Sequence, residues 1–162
     1  MHRIAIIGPE SVGKSTLAQQ LGQRLAIPVV NEYAREYVEH LNRPYTYDDV
    51  EIIARHQTQE FKQYKNAVFD TEMIITKVWF DIVYGKRPEW LDNWMETHKM
   101  DFYILLQPTI PWQYDPVREN PGNRDTLYQI YKSEIIRLGV PFIECDPTQI
   151  NAETLITNLR KL

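Results

Sequence analysis

Cysteine is almost missing from this sequence: Cys145 is the only one in 162 residues. A lone thiol excludes an internal disulfide framework and any multi-cysteine zinc site, so a reduced, cytoplasmic protein is expected. Cys145 closes a short apolar run and reads as a small core residue, not a nucleophile. The four histidines show no ligand spacing. Long apolar runs are missing as well, since nothing approaches the ~20 residues of a membrane span. Met1-His2-Arg3 leads straight into a short strand-like run without a signal-peptide segment. Positive charge is not in excess: 18 Lys+Arg against 22 Asp+Glu leave a net charge of -4, which argues against a nucleic-acid partner held on a broad basic face. Internal repeats and low-complexity tracts are absent, and glycine is scarce, with six in the chain. What remains is a length suited to one domain over 1–162, long enough to bury its own core.

Short apolar runs of strand length alternate with longer helical patterns. Strands are predicted at Arg3–Ile7, Ile27–Asn31, Ala67–Thr71, Phe102–Leu106 and Pro141–Cys145. Helices are predicted at Lys14–Leu25, Ala34–His40, Tyr47–Lys65, Ile74–Tyr84, Pro88–His98, Arg124–Leu138 and from Asn151 onward. Thr46 is the expected N-cap of the third helix, with Asp48 and Asp49 in its first turn. Such alternation demands an α/β fold in which a five-stranded parallel sheet carries helices on both faces. Ligands then bind at the carboxyl ends of the strands. Pro108, Pro111, Pro116 and Pro121 crowd into one segment, and a loop of about 15 residues in a compact domain is uncommon and usually functional. Residues 107–124 are therefore read as a lid-like loop.

The first strand runs into Gly8-Pro9-Glu10-Ser11-Val12-Gly13-Lys14-Ser15-Thr16, which satisfies G-x-x-x-x-G-K-[ST] at every defined position. Glycines let the backbone curl so that successive N–H groups face one point, and the helix N-terminus adds its partial positive charge. Lys14 then reaches the β and γ phosphates of ATP and the Ser15 hydroxyl ligates Mg²⁺. Two of the six glycines are used here. The lysine is expected to face solvent without ligand, so that Lys14→Ala leaves the fold intact.

A GTPase is unlike this sequence: His98-Lys99-Met100-Asp101 has His where an amide would read guanine, precedes its strand, and no D-x-x-G occurs. A motor ATPase needs a second domain. A small-molecule kinase needs a P-loop, an acid near Mg²⁺, a base for the acceptor hydroxyl and arginines for the transferred phosphoryl. Asp70, at the end of an apolar strand, fits a Mg²⁺ or acceptor carboxylate, or a turn-initiating Asp. Glu32 and Arg35 are three apart after the second strand and share a face if helical; Glu32 then serves as acceptor base, or the two form a surface ion pair. Arg118 and Arg124 flank the lid-like loop, whose closure would exclude water. Tyr33, Tyr37, Trp79 and Trp112 lie beside these acids and offer rings for an aromatic acceptor, while Phe61 and Trp90 read as core.

Several stretches occur together in order: Gly8 to Thr16, Glu32-Tyr-Ala-Arg-Glu-Tyr37, Arg43-Pro-Tyr-Thr-Tyr-Asp48, Ile53-Ala54 to Gln57, Phe69-Asp-Thr-Glu72 with Lys77-Val-Trp79, and Pro111-Trp112 to Asp115 and Arg118. In this combination the chain resembles the P-loop ribosylnicotinamide kinase domain of NadR-type bacterial enzymes and their stand-alone AAA-like relatives. The resemblance implies a P-loop NTPase fold of the nucleoside/NMP-kinase kind with strand order 2-3-1-4-5. It also implies ATP- and Mg²⁺-dependent phosphorylation of the 5′-hydroxyl of nicotinamide riboside, in NAD salvage. By position it assigns Lys14 and Ser15 to ATP·Mg²⁺, Glu32 and Asp70 to the ribose with one of them as base, Tyr33, Arg35, Trp79 and Trp112 to the nucleoside pocket, and Arg118 and Arg124 to the lid. The P-loop begins at residue 8, so the adenylyltransferase domain of NadR-type enzymes is expected to be absent. Glu144-Cys-Asp-Pro-Thr148 lacks the family's glycine and nearby arginine, so adenine packing is expected to differ. Asn31 is small and polar where an aromatic nucleoside favours a ring. Another nucleoside or metabolite, or a regulatory ATPase without an acceptor, therefore stays open.

Overall fold

The computed structural model describes residues 2–9, 13–111 and 123–161. Along these residues the elements are β1 (Arg3–Ile7), α1 (Lys14–Leu25), β2 (Val29–Val30), α2 (Tyr33–Glu39), α3 (Tyr47–Gln63), β3 (Ala67–Asp70), α4 (Met73–Tyr84), α5 (Glu89–Thr97), β4 (Phe102–Leu106), α6 (Arg124–Leu138), β5 (Phe142–Cys145) and α7 (Ala152–Leu159). The strands form one parallel sheet in the order β2-β3-β1-β4-β5, as predicted.

The central strands are apolar on both sides because both faces of the sheet are covered. Ala5, Ile7, Phe69, Tyr103 and Leu105 turn toward one core layer with the buried sides of α3, α4, α5 and α6. Ile4, Ile6, Val68, Ile104 and Leu106 turn the other way, onto Leu17, Ala18 and Leu21 of α1 and Leu155 and Ile156 of α7. Each fully buried side chain of this size contributes about 1.5–3 kcal/mol. β1, β3 and β4 each lie between two neighbours, and are sheltered on their edges as well as their faces.

β2 is shorter than the predicted Ile27–Asn31. Ile27 is taken by the end of α1, its N–H donating to the Gly22 carbonyl at 3.0 Å, and Pro28 has no N–H to give. Two residues are left to pair with β3. Gly22 makes that approach possible, because a Cβ there would stand 2.3 Å from Val29 Cγ2. At the other ends of the strands the register sets Asp70 beside Ile6, and the Thr71 N–H donates to the Ile6 carbonyl at 3.1 Å. The tip of β3 is thereby fixed next to the loop that leaves β1.

Candidate active site

That loop turns into α1 at Gly13, whose φ of +81° is left-handed backbone that glycine adopts without a Cβ clash. Lys14 follows as the first residue of α1 and folds back over the loop, its Nζ donating to the carbonyls of Gly8 at 3.1 Å and Pro9 at 3.0 Å. It is 8% exposed. The expectation of a solvent-facing lysine is therefore corrected: the Gly8 and Pro9 carbonyls satisfy the ammonium inside. Ser15 Oγ donates to Asp70 Oδ2 at 2.5 Å, which joins the start of α1 to the tip of β3. Thr16 is exposed. Glu10, Ser11, Val12, Trp112 and Arg118 lie outside the described residues, as does most of the predicted lid-like loop.

Asp70 is buried, and its Oδ1 has no hydrogen-bond partner among the described residues. The chain then kinks. Thr71 has φ +75°, a left-handed conformation that a β-branched residue rarely adopts and that costs about 1–3 kcal/mol. Glu72 caps α4, accepting the Ile74 N–H at 2.8 Å, and burial pushes its carboxyl up to about 7. Tyr103 bonds the same carboxyl. Neither residue was singled out from sequence by itself. Nothing in a threonine announces positive φ, whereas an acid just ahead of the apolar run Met73–Tyr84 was a signal for a cap.

Glu32 stands at the end of β2 as N-cap of α2. Arg35 Nε lies 3.7 Å from its Oε2, and the Glu32 side chain is only 7% exposed against 39% for Arg35. The i,i+3 pairing expected from sequence is present, with the acid turned inward. Tyr33 stacks on His56, centroids 3.6 Å apart and planes at 14°, in a groove with Asp48, Glu51 and Arg55. Trp79 meets Tyr45 edge-on at 4.9 Å and packs half-buried against the core. The two rings thus make separate contacts. Arg124 opens α6, and its Nη1 donates to the Ile110 carbonyl at 2.7 Å. Ile110 in turn sits against Gly13, 3.7 Å from where a Cβ would stand.

The structure therefore brings Gly8, Pro9, Gly13, Lys14, Ser15 and Asp70 together at one end of the sheet. This set is suited to a polyphosphate and a hard cation. Magnesium favours few protein ligands plus water and phosphate oxygens, and among the described residues no three His, Cys, Asp or Glu side chains converge as a cage. The buried Oδ1 of Asp70 fits such an ion, since a coordinated water would give it the missing hydrogen bond.

A family model described as an AAA domain matches residues 3–152. The trifunctional NAD biosynthesis/regulator protein NadR of Salmonella typhimurium is 31% identical over 127 residues, covering 73% of this chain and 31% of NadR. The chain thus spans less than a third of that curated relative. A crystal structure of NadR in complex with NR superposes with a TM-score of 0.71 at 20% identity, over 88% of this chain and 43% of that one. Deoxyadenosine kinase from M. mycoides with bound dATP gives a TM-score of 0.66 at 17% identity, over 99% and 100% of the two chains. These structural likenesses cover most of the chain and show a shared fold. With its phosphate loop, its parallel sheet and the match over residues 3–152, the chain belongs to the AAA domain family of P-loop proteins and is similar in sequence to NadR.

Proposed function

We propose that this chain is a kinase that transfers the γ-phosphoryl of ATP to the 5′-hydroxyl of a nucleoside, nicotinamide riboside being the first candidate. The observation that carries the reading is the 2.5 Å contact between Ser15 Oγ and Asp70 Oδ2, which sets a P-loop hydroxyl against a strand-end acid. Together they would hold Mg²⁺. When bound, that ion neutralises charge on the phosphate oxygens. The likeness to NadR and to a deoxyadenosine kinase supports a nucleoside as acceptor.

Within this reading each residue has a part. Lys14 exchanges its two carbonyl partners for the β and γ phosphates, to which its ammonium then donates, and the α1 N-terminus adds its N–H groups. Asp70 is committed to Ser15, which leaves Glu32 as the carboxylate that accepts the 5′-hydroxyl proton. Glu32 suits that part because it is held off water next to Arg35. Trp79 forms one wall for the nucleoside, and Tyr33, at the start of α2, offers a second ring. Arg124, with Arg118, acts from the lid. Asn31, just before Glu32, is small and polar and turns its side-chain oxygen to α1, where it accepts from Gln19 Nε2 at 3.1 Å, so it supplies no ring for an aromatic base. That favours a second reading, in which the same machinery serves another nucleoside or small metabolite.

A thermal-shift panel of nucleosides with a non-hydrolysable ATP analogue and Mg²⁺ tests the reading. A true acceptor at 100 times its Kd adds about 2.7 kcal/mol of stability, and nicotinamide riboside is expected to give the largest rise. A rise with the analogue alone, unchanged by every nucleoside, would favour a regulatory ATPase instead.

A further inference from the structure

We propose that Asp49 is a positioning residue that sets the acceptor side of the cleft by locking α2 and the 40–46 segment onto α3. The proposal rests on the nucleoside-kinase reading for its effect on activity, although its structural part stands alone. Asp49 is 1% exposed and accepts hydrogen bonds from three residues, one on α2 and two on the 40–46 segment. Arg43 grips it with both terminal nitrogens, at 2.6 and 3.0 Å. Tyr37 of α2 donates its hydroxyl at 2.8 Å. Thr46 supplies its N–H at 2.7 Å and its hydroxyl at 3.0 Å. A buried carboxylate is tolerable only when its lone pairs are filled in this way.

The arrangement matters because α2 is short and buries little of its own surface. It is seven residues long and buries only Ala34, while isolated helices of that length do not persist in water. Its fixation draws on polar and ring contacts, among them Tyr37 to Asp49 and Tyr33 on His56, both reaching α3. Yet α2 starts at Glu32 and carries Arg35, and the 40–46 segment carries Tyr45, which meets Trp79. One carboxylate therefore ties down both flanks of the proposed acceptor pocket. The phosphate side, on β1, α1 and β3, shares none of these bonds. Damage at Asp49 should reach the acceptor and spare ATP.

The test compares Asp49→Asn with the milder Tyr37→Phe, which cuts the α2 tie and leaves the Arg43 pair. In Asp49→Asn the kcat/KM for the acceptor is expected to fall by about tenfold or more while the KM for ATP stays within about twofold. Amide hydrogen exchange without ligands should quicken in α2 and residues 40–46 but not in β1 or α1. Tyr37→Phe should move both readouts the same way by less, and decides the matter if Asp49→Asn does not fold. Equal losses for ATP and acceptor, exchange that quickens throughout the chain, or exchange unchanged in α2 would overturn the proposal. If the wild-type protein phosphorylates no nucleoside, the kinase reading falls, and hydrogen exchange in the two variants still tests the hold of Asp49 on α2.

Discussion

Glu60 shows how burial alone sets the charge of a residue. Its carboxyl lies 3.1 Å from His56 Nε2, a distance that suggests an ion pair. Burial, however, pushes Glu60 up to about 7 and His56 down, so in mildly acidic solution the two share a neutral hydrogen bond. Folded Glu60 keeps its proton in a range where the unfolded carboxyl, with its ordinary value of 4.5, has lost it. Its contribution is complete below pH 4.5 and is lost as pH rises through about 7. Stability should therefore decline over that window by up to about 3 kcal/mol from this residue. Urea midpoints measured from pH 5 to 8 should fall in the wild type and fall less in Glu60→Gln, with Glu72, also pushed up to about 7, accounting for the remaining slope. Parallel curves for the two proteins would refute this. At this scale the sequence was readable in that Lys14, Ser15 and Asp70, singled out along the chain, come together at one end of the sheet. It was silent at Thr71 and misleading about Lys14's exposure, because backbone twist and a carbonyl cradle arise from tertiary packing and carry no local pattern.

Among the elements, α1 and β2 illustrate how one atom governs spacing. Gly22 faces Val29, and the added Cβ of Gly22→Ala would also come within 3.1 Å of the Ile27 carbonyl. Backbone cannot yield as a side chain does, so α1 must move away from the sheet. The variant should lose about 1–3 kcal/mol, read as a lowered urea midpoint with an unchanged m-value, despite alanine's higher helix propensity. A neutral or stabilising result would contradict the close approach. Helix ends were legible to within two residues, since the 3.6-residue periodicity of apolar positions and the Gly85 and Gly139 stops are local signals. β2 was over-extended, because Ile27, Val29 and Val30 all have β propensity and gave no hint that Ile27 would finish the preceding helix. Asp49 was seen only as a first-turn acid; its bonds to Tyr37 and Arg43 depend on how two helices meet.

For the whole molecule, alternation of strand and helix was enough to derive a parallel sheet with covered faces. The order of strands came with the family resemblance, and the sheet shows it. That order places the ends of β1, β2 and β3 side by side, which is why residues far apart in sequence, Ser15 and Asp70, touch. Among the described residues no helix is long and apolar enough to cross a membrane. The central claim is that this assembly moves a phosphoryl group from ATP to a nucleoside. The most direct measurement is mass-spectrometric analysis of products after incubation with ATP, Mg²⁺ and nicotinamide riboside, alone and within a nucleoside mixture, with Lys14→Ala in parallel. The account predicts a nucleoside 5′-monophosphate formed in step with ADP, and a turnover lower by about 10²-fold or more in Lys14→Ala. ADP and free phosphate with no phosphorylated nucleoside, or equal product from Lys14→Ala, would contradict it.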